Sequence, residues 1–268
     1  RLLFLSAAGP APTVCAPRVL VVADAGSRLS FEEHHVGSGP AALACPVSEV
    51  VLGPEAAVEH VVVQEASRAA SIVALRHVEL AADSRYSSQT ISLGGALART
   101  DIEVVLAGEH AEAALDGLSL TDGGQQAESH VLVRHARPHG SSTQLFKSIL
   151  GGSSRSVFNG RIVVDPGAQK TDARQSNRNL VLSDAAVANS NPQLEIFADD
   201  VRCTHGSTVG RLDDEAVFYL RSRGLGRAEA QRLLVQAFAG EILDRIREPE
   251  LRERLAVLVA DKLAALTT

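Results

Sequence analysis

The segment Asp199-Asp200-Val201-Arg202-Cys203-Thr204-His205-Gly206 holds a thiol and an imidazole two positions apart. On a β-strand, alternate residues share a face, so Cys203 and His205 project together. A thiolate beside an imidazole makes a pair of ligands suited to iron or zinc. Two ligands do not close a tetrahedral site, which takes four. A metal held here is therefore open, transient or completed by another chain. The commoner arrangement for such a pair is a buried thiol next to a hydrogen-bonded histidine.

Other groupings carry less. Asp199-Asp200 and Asp213-Asp214 could flank a scissile bond as the two carboxyl groups of a glycoside-cleaving enzyme. Neighbouring strand residues point to opposite faces, however, and Asp213-Asp214 fits a helix start, where the dipole favours acid. His130, His135 and His139 cluster in sequence, yet strand periodicity puts His130 and His135 on opposite faces, so these read as core or surface side chains, as do His34-His35. Lys147-Ser148 lacks the glycine loop of a phosphate-binding turn. G-x-G-x-x-G, G-x-S-x-G, H-E-x-x-H and C-x-x-C patterns do not occur, which removes the usual nucleotide, hydrolase, zincin and zinc-ribbon routes.

Composition narrows the partners. With 268 residues, 45% of them hydrophobic, the chain can bury a substantial core. Seven Phe, two Tyr and no Trp leave that core aliphatic and leave few aromatic platforms for a sugar. A net charge of -6 without any run of Lys or Arg disfavours nucleic acid and anionic membranes. No apolar stretch approaches the roughly 20 residues that span a bilayer, and Leu2-Leu3-Phe4-Leu5 is too short for a secretory leader. Three Cys are too few for a disulfide framework and suit a reducing compartment. The missing Met at position 1 points to an absent start, with 1–17 as the remnant of an N-terminal region.

From 18 to 212 the pattern is of short β-segments: 18–22, 102–106, 130–133, 161–164, 179–182 and 193–197, separated by turn residues. Asn159, Asn177, Asn179, Asn189 and Asn191 are expected at corners, since Asn tolerates left-handed backbone. Periodicity alone fits a β-solenoid and a β-sandwich equally. Helices follow over 213–268. Asp213 opens the first and Gly224 closes it. The second starts near Arg227, with Ala230, Leu233, Leu234, Ala237, Phe238, Ile242 and Ile246 along one face, and is broken by Pro249. Leu251, Leu255, Leu258, Val259 and Leu263 line the third. These faces are expected to pack on one another or on the β core.

Three ordered blocks, Val157-Phe158-Asn159-Gly160-Arg161-Ile162, Ala168-Gln169-Lys170-Thr171-Asp172-Ala173 and Gln175-Ser176-Asn177-Arg178-Asn179-Leu180, closely resemble the SufB/SufD core family of the SUF iron–sulfur cluster assembly system. The similarity runs on through 192–201, Cys203-Thr204-His205-Gly206 and Phe218-Tyr219-Leu220-Arg221-Ser222-Arg223-Gly224, whose pattern is closer to the SufD branch. It is densest over 130–245 and collinear back to Arg18.

The resemblance implies a right-handed parallel β-helix core over 18–212 and a C-terminal α-helical domain over 213–268. It implies a non-catalytic scaffold in the cytoplasm, or the stroma of a plastid. Its partners would be SufB, met edge to edge, and the SufC ATPase, docked by the C-terminal helices, with Phe218, Tyr219, Arg221 and Arg223 as candidate contacts. A homodimer is the alternative when SufB is absent. His205, with Cys203 beside it, matches the position proposed to bind a transient iron–sulfur cluster that SufB completes; the isolated chain would hold none stably. Gly140 stands where many relatives carry Cys, and the family's N-terminal helical region has no counterpart here.

Overall fold

The computed structural model describes residues 1–7, 13–38 and 42–266. Its first strands are β1 (Leu2–Ala7), β2 (Thr13–Cys15), β3 (Arg18–Ala23), β4 (Arg28–Ser38), β5 (Ala42–Ala44) and β6 (Val47–Leu52). The middle strands are β7 (Ala57–Glu65), β8 (Ser71–Leu80), β9 (Arg85–Ser92), β10 (Leu97–Leu106), β11 (Glu112–Thr121) and β12 (Gln126–His135). Then come β13 (Ser141–Leu150), β14 (Arg155–Val164), β15 (Asp172–Val181), β16 (Val187–Ile196) and β17 (Arg202–Gly210). Helices α1 (Asp214–Ser222), α2 (Arg227–Leu243) and α3 (Pro249–Leu266) follow.

From β6 onward each strand pairs in parallel not with its sequence neighbour but with the strand after that, whereas β1 to β5 pair with the strand three further on. One sheet therefore runs β1-β4-β7-β9-β11-β13-β15-β17, and the other ends in β8-β10-β12-β14-β16. This is a parallel β-solenoid of about seven coils, and it resolves the choice against a sandwich. Strands begin ahead of position 18, since β1 lies beside β4 and β2 beside β5. Coils are separated by roughly 30 residues, as in the hydroxyl contact Ser119 to Ser148, 29 apart, and the amide contact Gln175 to Gln144, 31 apart.

Strands β10 to β16 are each ten residues long, longer than the short segments expected. The asparagines are not at corners. Asn159, Asn177, Asn179, Asn189 and Asn191 lie within β14, β15 and β16. Asn177 and Asn179 are buried there, donating to the Phe146 carbonyl at 3.2 Å and to Asn177 Oδ1 at 2.7 Å respectively. The left-handed corners belong instead to Glu55, Asp83, His110, His139 and Lys170, one per coil. At each, a backbone N–H reaches the next coil, as from His139 to the Gln169 carbonyl at 2.9 Å and from Lys170 to the Asp200 carbonyl at 2.6 Å.

Inward residues fill the coil with aliphatic side chains such as Leu52, Leu80, Leu106 and Leu115, closed by the Phe146–Phe158 pair at 5.1 Å. The outer face of the first sheet is covered by the helices: Val61, Ile91, Leu118 and Ile149 pack with Val235, Ile242, Leu255 and Val259. Lys147, buried on that face, donates to the Phe238 carbonyl at 2.9 Å and to the Glu241 carboxylate, and Arg245 reaches Asp116 at 2.7 Å.

Asp213 caps α1, accepting from the Glu215 N–H at 2.9 Å, and Gly224 leaves it at a φ of +97°. In α2 the buried face is Ala230, Val235, Ala239, Ile242 and Leu243, while Leu233 and Ala237 of the expected face are exposed. Ala230 and Ile242 of the expected face are buried, and the packed stripe is turned toward Val235 and Ala239. Pro249 does not break α2, which already ends at Leu243; it begins α3, where its missing N–H has no helical partner to lose. Leu255, Val259 and Leu263 of α3 are buried as expected.

Two histidines are held neutral inside the coil. His135 is fully buried with Nε2 2.9 Å from Ser142 Oγ, and burial lowers its pKa to about 4. For His60, burial and then the Arg76 charge lower it to about 4 against the opposing pull of Glu33. Around it, Glu33 accepts from Ser48 Oγ at 2.7 Å and lies 3.2 Å from His35 Nε2, and Tyr86 OH meets His60 Nδ1 at 2.9 Å. Because the folded pKa of each histidine lies below its unfolded value near 6.5, the unfolded chain takes up the proton first. Stability is then complete above pH ~6.5 and falls as pH drops toward 4, by on the order of 3 kcal/mol for His135. Urea denaturation at pH 7.5 and 4.5 is expected to show this loss, and a His135→Gln variant to show less of it. Equal losses in the two proteins would remove this assignment.

Candidate functional site

Strand β17 ends the first sheet, with β15 on one side and no strand on the other among the described residues. Register places Cys203 beside Ala173 and His205 beside Gln175. Ala173 and Gln175 are inward and buried, so Cys203 and His205 share the inward face of a coil whose far side is open. The alternation expected from sequence thus holds. Openness separates the two residues: Cys203 is half-buried against Ile162, Val164 and Ala168, whereas His205 is exposed.

The chemistry follows that difference. Burial pushes the Cys203 thiol up, with the Asp172 charge adding to it and a backbone hydrogen bond at Ala173 opposing it. Since the thiolate is the ligand form, Cys203 is the weaker donor of the pair. His205 offers an imidazole without having to leave a packed environment. Among the described residues, no group of three or more His, Cys, Asp or Glu side chains is arranged to hold a metal ion. Among the described residues the site therefore consists of these two side chains.

The remaining candidates are separated. His130 lies part-buried on the outer face of the second sheet, 3.1 Å from Glu128, while His135 is interior, the opposition expected from their spacing. His139 sits at a corner, stacked on His110 at 4.7 Å. His34 and His35 are buried, His34 against Glu65 and His35 against Glu33. Asp200 is paired with Lys170 and Asp213 is a helix cap, so the two acidic pairs do not converge. A groove of about 540 Å³ on the outer face of the second sheet does contain Asp101 and Glu103. Both Asp101 oxygens are occupied by Arg99 at 2.9 Å, and no Phe or Tyr lines the groove, which is poor equipment for glycoside cleavage. A Cβ at Gly140 would come within 2.9 Å of His135 Nδ1, so that position opens into the coil interior.

On α1, Phe218 and Tyr219 are 71% and 57% exposed, and Arg221 and Arg223 are also on the surface. Arg223 lies 5.2 Å from the Tyr219 ring centroid and donates to its hydroxyl at 3.2 Å. Only Val217 anchors this helix in the core, leaving an aromatic and cationic surface outward. Two elements of the site were not legible beforehand. Gln144 and Gln175 form a buried stack beneath His205, and their one signal is a spacing of 31 and then 30 residues along the chain. Lys147, noticed in the sequence only for a motif it lacks, is the post that ties α2 to the sheet.

The family model for the SufBD core domain of SUF system FeS cluster assembly matches residues 4–238. An iron–sulfur cluster assembly SufBD family protein of Synechocystis is 36% identical over 97% of this chain and 59% of its own length. The iron–sulfur cluster assembly protein SufD of Escherichia coli is 38% identical over 69% of this chain and 44% of its own. The chloroplastic protein ABCI7 of Arabidopsis thaliana is 32% identical over 89% of this chain and 51% of its own. The chain thus spans about half the length of the curated relatives it matches. No helix among the described residues is long and apolar enough to cross a membrane. A two-sheet parallel solenoid that carries the family's blocks on its last coils and matches the core model over most of its length belongs to the SufB/SufD family of iron–sulfur cluster assembly proteins.

Proposed function

We propose that this chain is a non-catalytic scaffold subunit that supplies one ligand, His205, to a nascent iron–sulfur cluster, the cargo being completed by SufB. The observation that carries this reading is an exposed imidazole on the inward face of the terminal strand, at a coil end on which no further strand is stacked among the described residues. A free strand edge is a template for another chain. Pro192 in β16, the last strand of the second sheet, is tolerated because that strand too is an edge. SufB pairing at this end would bring a second set of ligands to His205, with Cys203 as an accessory thiol. The cluster is transient cargo, so the isolated chain retains none.

Docking of the SufC ATPase fits the exposed surface of α1, where Phe218 and Tyr219 supply apolar contact and Arg221 and Arg223 supply charge. Aromatic and Arg side chains are the residue types that dominate interface energetics. This places energy input in a partner, outside the chain, in the cytoplasm or in the stroma of a plastid. Co-expression with SufB and SufC tests the assignment. A three-protein complex is expected, with ATP hydrolysis only when SufC is present, and Phe218→Asp is expected to weaken SufC retention at least ~10-fold while SufB is kept. Equal retention of SufC by the variant would remove α1 as the docking surface. A homodimer in place of the SufB pair would appear in sedimentation as self-association that added SufB does not displace.

A further inference from the structure

In the first sheet, register stacks Gln144, Gln175 and His205 in one inward row, each beside the next on successive coils. Gln144 and Gln175 are each only 3% exposed. Gln175 donates from Nε2 to Gln144 Oε1 at 2.9 Å, so the nitrogen side of its planar carboxamide is turned toward the coil beneath. The oxygen of the same group is then turned the other way, toward the coil that carries His205. That oxygen is buried and accepts no hydrogen bond.

Two neighbours fix this orientation. Across the coil, a Cβ at Gly160 would lie 2.4 Å from Gln175 Nε2 and 2.7 Å from its Cδ, so the glycine gives the amide the space it occupies. In the adjacent rows Cys203 stands over Ala173 and Ser207 over Asn177, which leaves His205 as the residue directly above the oxygen. Buried acceptors are almost always satisfied in folded proteins, and an unmet one next to a donor-bearing ring marks a bond waiting for a small rotation.

We infer that Gln175 is the positioning residue of His205: its Oε1 accepts the Nδ1–H of the ring one coil above and leaves the Nε2 lone pair directed off the open end. Metal-bound histidines are regularly held this way, with the second nitrogen donating to a fixed oxygen that sets both tautomer and ring plane. The inference rests on His205 being a ligand for its consequence, though not for its geometry. It also assigns Gln144 a supporting part, because that residue holds the Gln175 amide from below.

The test is a measurement on the whole chain without metal. Ring nitrogen chemical shifts of ¹⁵N-histidine-labelled protein, recorded where His205 is neutral, report which nitrogen carries the proton. The wild-type chain is expected to hold His205 as the Nδ1–H tautomer. Gln175→Met is expected to return it to the Nε2–H form that imidazole side chains favour in water, whereas Gln144→Met leaves the tautomer unchanged. In the assembled complex, Gln175→Met is expected to weaken iron binding about 10-fold. An Nε2–H tautomer in the wild-type chain would overturn the inference, whether or not the variants fold. So would an unchanged tautomer in Gln175→Met. If the tautomer moves as expected but His205→Ala still assembles clusters normally, Gln175 keeps its positioning role and the ligand assignment fails alone.

Discussion

Replacing His205 with alanine is expected to leave the fold and the complex intact while iron–sulfur cluster formation falls by more than ~10-fold. The two halves of that expectation have separate physical origins. His205 is exposed at the end of the last coil, where truncation removes no packed atoms, and surface substitutions of this kind change stability by about 0.5 kcal/mol or less. Its imidazole is nonetheless the only unencumbered donor of the Cys203/His205 pair, since burial pushes the neighbouring thiol up and keeps it protonated. A Cys203→Ser variant is accordingly expected to be milder. The check is reconstitution of iron and sulfide in the complex, read by visible absorption, beside size-exclusion chromatography of the same samples. Normal cluster yield in His205→Ala would sink the ligand assignment while leaving family membership untouched.

Phe158→Ala is expected to produce the largest loss of stability, about 3–5 kcal/mol. The ring is 2% exposed and packs on Phe146 at 5.1 Å, in a core otherwise built from aliphatic side chains. With so few aromatic residues in the chain, nothing nearby can expand to refill the space. The solenoid makes the damage propagate, because each coil is stabilised chiefly by the two coils it touches. Phe158 lies in β14, and Gly160 of that strand faces Gln175 under the site, so the cavity also loosens the floor beneath His205. Against a total stability of about 5–15 kcal/mol, such a loss is readily measured as a lowered midpoint in urea. A change below ~1 kcal/mol would mean that Phe158 is not a keystone of the last coils.

The parts of this molecule that could be read from sequence are those governed by local rules. Cys203 and His205 share a face because strand periodicity is two, and Asp213 and Gly224 bound α1 because their side chain and backbone are suited to helix ends. The solenoid itself was not derivable in the same way. Of the residues in one row of the stack, Leu115, Gln144, Gln175 and His205, only the two glutamines match in chemical type, so a repeat of about 30 residues leaves little compositional trace. What the coils have in common is a left-handed corner occupied by Glu55, Asp83, His110, His139 and Lys170, which no propensity marks as a set.

The asparagines misled for a related reason: Asn177 and Asn179 bond across successive rungs inside the coil, to the Phe146 and Thr208 carbonyls, an environment that exists only once the coils are stacked. In α2, the packed stripe is turned toward Val235 and Ala239 rather than Leu233 and Ala237 by the sheet beneath. The buried group of Glu33, His35, His60 and Arg76 was likewise invisible, because residues from three strands meet there only in three dimensions.

The most direct measurement is pulsed electron paramagnetic resonance on the reduced cluster in the assembled complex, with histidine labelled with ¹⁵N in this chain alone. A hyperfine coupling from ¹⁵N is predicted, and it should vanish in His205→Ala. A cluster formed in full yield with no such coupling would contradict the claim that this chain contributes the imidazole.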